Sequence, residues 1–253
     1  MSKINFFLGL PKKFKNICNV YPPSIEQAIS EENFDNIIEI LTLSQEDIED
    51  SIYNYNDIVT IKKEDIPTPF DILLQRCIEN QYYYELFKKA MLFFTKEKVT
   101  ILFDLKQIWF CDLEQVLKEI KDSSELYNIH RIKESDYFDF QNLIRESIGQ
   151  NKKDPYTIEE NPKIRRLKAK ARYRDRIKAK SGKGIDLDTN IAAICCMGIG
   201  LTPLNIGKIS YSALRIISKM RQDKEKYETD IQSLLAGADS KKMKIEYWIK
   251  NLE

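Results

Sequence analysis

Eleven Lys and Arg side chains crowd into the stretch from Lys163 to Lys183 against one acid, Asp175, a local charge of +10. Guanidinium and ammonium groups at this density bind anions, so Arg165, Arg166, Lys168, Lys170, Arg172, Arg174, Arg176, Lys178 and Lys180 are the candidate residues for an anionic partner. Counter-charge is present in the same chain. Ser24 to Asp65 holds twelve Asp and Glu against Lys62 and Lys63, a local charge of −10, so the net charge of +1 conceals a dipolar molecule. Four readings of the basic stretch stay open: a solvated linker helix, pairing with the acidic segment of this chain or of another copy, a different protein, and nucleic acid. The last is disfavoured, because stacking aromatics should interleave with the cations and Tyr173 stands alone there.

Chemistry beyond charge pairing finds little material. His130 is the single histidine, and Cys18, Cys77, Cys111, Cys195 and Cys196 form no CxxC pair, so neither a zinc cluster nor ordinary proton transfer is expected. Gly182-Lys183-Gly184 lacks the spacing of a phosphate loop. Glu159-Glu160 sits in a linker, a poor scaffold for positioned acid–base work. These absences predict a protein that is not an enzyme and takes no cofactor or metal, with reduced, buried thiols of a cytosol.

The chain that must position these groups is 43% hydrophobic and 31% charged with 8 Gly and 8 Pro, the profile of a soluble, helix-rich protein. The apolar start is followed by Pro11, Lys12 and Lys13, the wrong order for a secretory signal, and Ile191 to Ile206 is too short and too broken for a membrane span. Residues 1–23 read as an extended lead-in. Ser24 and Gln27 open a helix over 25–42, and Ser44 with Asp47 restarts one through Tyr53. Ile58 to Lys62 is a short strand or loop. Thr68 and Pro69 begin a long helix to Lys96, and Val99–Phe103 with Gln107–Cys111 suggests a hairpin. Helices follow over 113–121 and 136–148, the second capped by Ser135 and stopped by Gly149.

Polar residues 150–161 form a linker, and Pro162 sits at the first turn of a helix whose strictly alternating charge, from Lys168 to Lys180, leaves only Ile164, Leu167 and Ala171 aligned. Asp188 to Met197 is a short apolar helix and Ser210 to Leu235 a long one ended by Gly237. Ile245, Trp248, Ile249 and Leu252 fall at i, i+3, i+4 and i+7, an apolar face of a terminal helix that docks on its own domain or on a partner protein. The expected architecture is mainly α: a helical domain with one small β-hairpin over 1–150, a linker and basic helix over 151–184, and a smaller helical domain over 185–253.

Whole phrases carry a further signal. Tyr21-Pro22-Pro23-Ser24-Ile25-Glu26, the Lys/Arg-rich middle, and Leu235-Ala236-Gly237-Ala238-Asp239-Ser240-Lys241-Lys242-Met243 with the following Tyr247-Trp248-Ile249 resemble bacteriophage tail assembly chaperones of Gram-positive hosts. Two positions depart from that layout: Tyr247 stands where such endings often have His, and Ile209-Ser210 where Leu-Thr is usual. The resemblance implies a non-enzymatic protein of the host cytoplasm that coats the helices of the tape-measure protein and brings tail-tube subunits to them, self-associating along the tape. A structural component of the virion tail or baseplate is the alternative it leaves open, and nucleic-acid binding through the basic stretch is a second.

Overall fold

The computed structural model describes residues 4–52, 62, 66–111, 130–157, 161–180, 187–237 and 245–249, and it is mainly helical, as composition and periodicity predict. The expected strand at 58–62 falls almost wholly outside the described residues, and the helix at 113–121 and Leu252 lie outside them altogether.

The lead-in is not simply extended. It forms a short helix α1 (Ile4–Phe7) and an antiparallel hairpin of β1 (Lys12–Phe14) and β2 (Cys18–Val20). Phe14, Cys18 and Val20 point inward, the alternation a half-buried strand requires, but Lys12-Lys13 and Asn19 give these strands no run of β-branched and aromatic residues to mark them in sequence. The helix expected over 25–42 is two, α2 (Ile25–Ser30) and α3 (Phe34–Thr42). Between them the Glu31 backbone is extended, and its carboxylate accepts from Asn33 N–H and pairs with Lys89 at 2.6 Å. Ser44 and Asp47 then start α4 (Gln45–Ile52) by reciprocal hydrogen bonds.

Thr68 and Asp71 make the capping box of α5 (Pro69–Glu79), with Pro at the first turn. The single helix expected to Lys96 breaks at Asn80, whose side chain accepts from the N–H groups of Tyr82 and Tyr83 and so caps α6 (Gln81–Thr95). The predicted hairpin is β3 (Thr100–Leu102) with β4 (Gln107–Trp109), and β5 (Arg131–Lys133) adds a third antiparallel strand in the order β3-β4-β5. Next comes α7 (Glu134–Ser147). Its first turn starts at Lys133 without a side-chain cap, so Ser135 is inside the helix and not its cap; Gly149 ends it at φ +72°.

The rest follows the sequence reading closely: α8 (Pro162–Lys180), α9 (Leu187–Cys195) and α10 (Tyr211–Leu235), the last capped by Ser210 through Ala213 N–H. Phe6, Phe87, Phe94, Phe140 and Ile108 anchor a main core between α3, α5, α6, α7 and the two sheets. A second cluster joins Ile25 to Ile194, Ile206 and Leu214, so the C-terminal helices share a core with α2. That joint is made by the phrase Tyr21–Glu26. Tyr21 N–H donates to Phe94 O at 2.8 Å, Pro23 O accepts from Tyr211 at 2.8 Å, and Ile25 donates to Ile209 at 3.0 Å.

Cys18, Cys77 and Cys111 are buried, and burial pushes the thiols of Cys18 and Cys77 up to about 12, whereas Cys196 is exposed. Iodoacetamide at neutral pH should therefore label Cys196 first, with Cys18, Cys77 and Cys111 reacting only after urea is added, as read by peptide mass spectrometry. Two surface pairs give an acid dependence. Burial alone would raise Asp71 and Glu31, but hydrogen bonds from Lys106 and Thr68 to the first, and from Lys89 to the second, hold both carboxyls below their usual values. A carboxyl depressed by folding contributes stability above its unfolded pKa and loses it as pH falls through the folded one. The urea midpoint should thus drop between roughly pH 5 and pH 2, and Asp71→Asn should make that drop shallower.

Candidate functional site

The basic helix α8 has few apolar residues to bury, and its seat is ionic. Its inward line is Arg165, Ala169 and Arg172, at i, i+4 and i+7, facing α4 across a gap of 116 or more residues in sequence. Ala169 is 1% exposed and Arg165 6%, so the one small apolar residue lets two arginines reach across. Arg165 Nη2 donates to Glu49 Oε1 at 2.8 Å, and Arg172 Nη2 donates to Glu49 Oε2 at 2.9 Å. Arg172 also forks onto Asp50, Nε to Oδ2 and Nη2 to Oδ1, each at 2.8 Å. The Glu49 carboxylate, on a residue 2% exposed, is held between two guanidiniums. Hydrogen bonding to Asp50 holds Arg172 above its usual pKa, and burial with a hydrogen bond to Glu49 raises the Tyr156 phenol.

The linker completes the clasp. Asn142 on α7 exchanges two hydrogen bonds with the Lys153 backbone, at 3.0 and 2.9 Å, which pins the chain there as a strand pair would. Lys153 Nζ then reaches Ser44 Oγ at 2.7 Å and Glu46 at 3.1 Å. Arg145, buried on the same helix, donates to Thr42 O at 2.6 Å and to Asn142 Oδ1 at 3.1 Å, so it fastens the end of α3 to α7. Between these elements lies a cleft of about 350 Å³ whose lining includes Ser44, Glu49, Tyr156, Arg165, Lys168 and Arg172. Its walls carry both signs of charge, with the carboxylates of Glu49 and Asp50 set against the guanidiniums of Arg165 and Arg172. That arrangement binds and orients charge. Within it Ser44 Oγ donates to the Asp47 carboxylate and accepts from Lys153 Nζ, and among the described residues no group of three or more His, Cys, Asp or Glu could hold a metal ion.

The nine candidate cations divide by face. Arg165 and Arg172 form the clasp; Arg166, Lys168, Lys170 and Arg174 are exposed; Arg176, Lys178 and Lys180 continue the helix with side chains outside the described set. The line Ile164, Leu167 and Ala171, the apolar alignment read in the basic stretch, is turned to solvent, with Leu167 67% exposed. The helix is docked by its charged line because the surface that receives it is a pair of carboxylates. Glu49, Asp50, Arg145, Lys153 and Tyr156 were not expected as site members. The signal for the first two was the −10 segment itself; the helix dipole explains Glu46 and Asp47 in the first turn of α4, but not Glu49 and Asp50 in its second half. His130 is exposed, and its carbonyl accepts from Phe110 N–H as part of the sheet.

The terminal apolar set behaves differently from the expected helix. Residues 245–249 are not helical. Tyr247 stacks edge-on against Tyr227 of α10 with ring centroids 5.5 Å apart, and Lys224 Nζ lies 5.9 Å from the Trp248 ring. The irregular backbone of 245–249 brings both rings onto α10. Ile245 and Trp248 are half-buried and Ile249 is 53% exposed.

No protein-family model, no curated protein and no solved structure matches this chain. Among the described residues no helix is long and apolar enough to cross a membrane.

Proposed function

We propose that the chain is a non-enzymatic phage tail assembly chaperone, which binds tape-measure helices and recruits tail-tube subunits in the host cytoplasm. The observation that carries the reading is the orientation of α8: its charged line is spent inward on α4, and its apolar line, with Lys163, Lys170 and Arg174 beside it, is exposed. Exposed Ile164, Leu167, Tyr173 and Ile177, between 42% and 67% accessible, suit many weak contacts with an apolar helix, while the cations beside them keep a complex soluble. Support also comes from the resembling phrases, of which Tyr21–Glu26 is a structural joint. Coating a helix by such contacts needs no cofactor, and several copies would sit along one tape.

Co-purification tests it. A tagged chain expressed in phage-producing cells and recovered after nuclease treatment should bring down the tape-measure or tube protein, and purified particles should lack it. Stoichiometric presence in the particles would move the chain to the structural components of the tail or baseplate. Recovery with nucleic acid alone, abolished by nuclease, would favour the nucleic-acid reading instead. For that control Lys170 and Arg174 are the residues to reverse, because reversing Arg172 would break the clasp as well.

A further inference from the structure

We propose that the outward face of α8 docks an acidic helix of a second protein in the way its inward face docks α4. The two faces carry one pattern. Inward, Arg165, Ala169 and Arg172 stand at i, i+4 and i+7; outward, Lys163, Leu167 and Lys170 repeat cation, apolar, cation at the same intervals, and Arg174 follows at i+11. The offset is two residues, a rotation of about 200° on a helix, which carries the copy to the opposite side. The inward copy shows what the pattern accepts: α4, with Glu49 and Asp50 adjacent on the contact and Glu46 one turn earlier. Lys163, Leu167, Lys170 and Arg174 are all exposed, so the second copy of the pattern faces solvent.

An acidic helix with apolar residues between its carboxylates meets both parts of this ridge, because Leu167, 67% exposed at its centre, needs an apolar neighbour that a phosphate backbone does not supply. Lysine and arginine on an exposed ridge also steer an acidic partner by charge, so the association should be fast at low salt and weaken as salt rises. The inference rests on the assembly reading above for the existence of a second protein, but its chemistry stands on α8 alone.

The probe is a fluorescein-labelled, lactam-stapled peptide carrying residues 43–53 of this chain, titrated with the full-length protein at low salt and followed by anisotropy. The wild type should bind it. The variant Lys163→Glu, Lys170→Glu, Arg174→Glu should bind at least about tenfold more weakly while its urea midpoint stays unchanged, and Leu167→Ser should also weaken binding at unchanged net charge. A labelled single-stranded DNA of 20 nucleotides is titrated alongside. Peptide binding that survives the triple reversal, or DNA that binds more tightly than the peptide and is indifferent to Leu167→Ser, overturns the inference. If the peptide behaves as expected but no tape-measure or tube protein co-purifies from cells, the docking face stands and the assembly reading falls.

Discussion

Glu49→Ala is expected to cost about 3–5 kcal/mol, the largest effect of any substitution at the clasp. The residue is 2% exposed, and its two oxygens accept from Arg165 and Arg172 at 2.8 and 2.9 Å. Truncation takes from Arg165, itself 6% exposed, the Glu49 carboxylate it is buried against, and removing one partner of a buried ion pair costs far more than an exposed pair contributes. Arg172 loses less, since its fork onto Asp50 remains. Urea denaturation followed by far-ultraviolet circular dichroism should show a midpoint well below wild type, or early loss of the helix signal of α8 if that element detaches first. The companion Glu49→Met, Arg165→Met separates charge from packing. Removing both partners together takes away the desolvation cost of each, so the double variant should lie within about 1 kcal/mol of wild type. A double variant as unstable as Glu49→Ala would mean that the site depends on hydrogen bonding around the pair and not on the pair itself.

Gly149→Ala should destabilise by about 2–4 kcal/mol, from two sources that add. The first is backbone conformation, because Gly149 sits at φ +72°, where an L side chain is strained by about 1–2 kcal/mol. The second is space. A Cβ there would lie 3.1 Å from Arg215 Cβ and 3.2 Å from both Cα and O of Ser212, closer than packed atoms normally approach. Ser212 is fully buried in the first turn of α10, so relief requires the whole helix to shift. Since Tyr211 and Ile209 hold the chain at Pro23 and Ile25, a shift there also loosens the joint made by Tyr21–Glu26. The expected readout is a lowered urea midpoint with faster hydrogen exchange at the N–H groups of Ile25 and Tyr211. Normal exchange at those two amides would place the whole cost in the Gly149 backbone.

Helix identity was legible wherever a cap and a period agreed. Ser24 with Gln27, Thr68 with Pro69, and Ser210 each announce a helix start that the structure contains, because capping is local chemistry carried by neighbouring residues. Breaks were less visible. Asn80 interrupts an apolar period that continues on both sides, and only its side-chain bonds to Tyr82 and Tyr83 decide that one helix becomes two. The strands β1, β2 and β5 are no shorter than β3 and β4, but they lack the β-branched and aromatic runs, Val99–Phe103 and Gln107–Cys111, that marked that hairpin. The candidate site was half legible. Opposite charge in two segments made pairing within the chain one of the open readings, but which face of α8 turns inward was not in its own sequence. Its only apolar alignment, Ile164, Leu167 and Ala171, argues for the wrong side. The deciding partners, Glu49 and Asp50, lie more than a hundred residues earlier, and nothing local to α8 reports them.

That separation has a consequence during synthesis. Arg165 follows Glu49 by 116 residues, so a ribosome adding roughly 5–20 residues per second delivers the clasping helix about 6–23 s after the acidic one. Throughout that interval the nascent chain displays α4 with its carboxylates uncompensated by α8. Those carboxylates stay without their guanidinium partners on α8 until the basic helix leaves the exit tunnel, and folding of this chain alone then covers them.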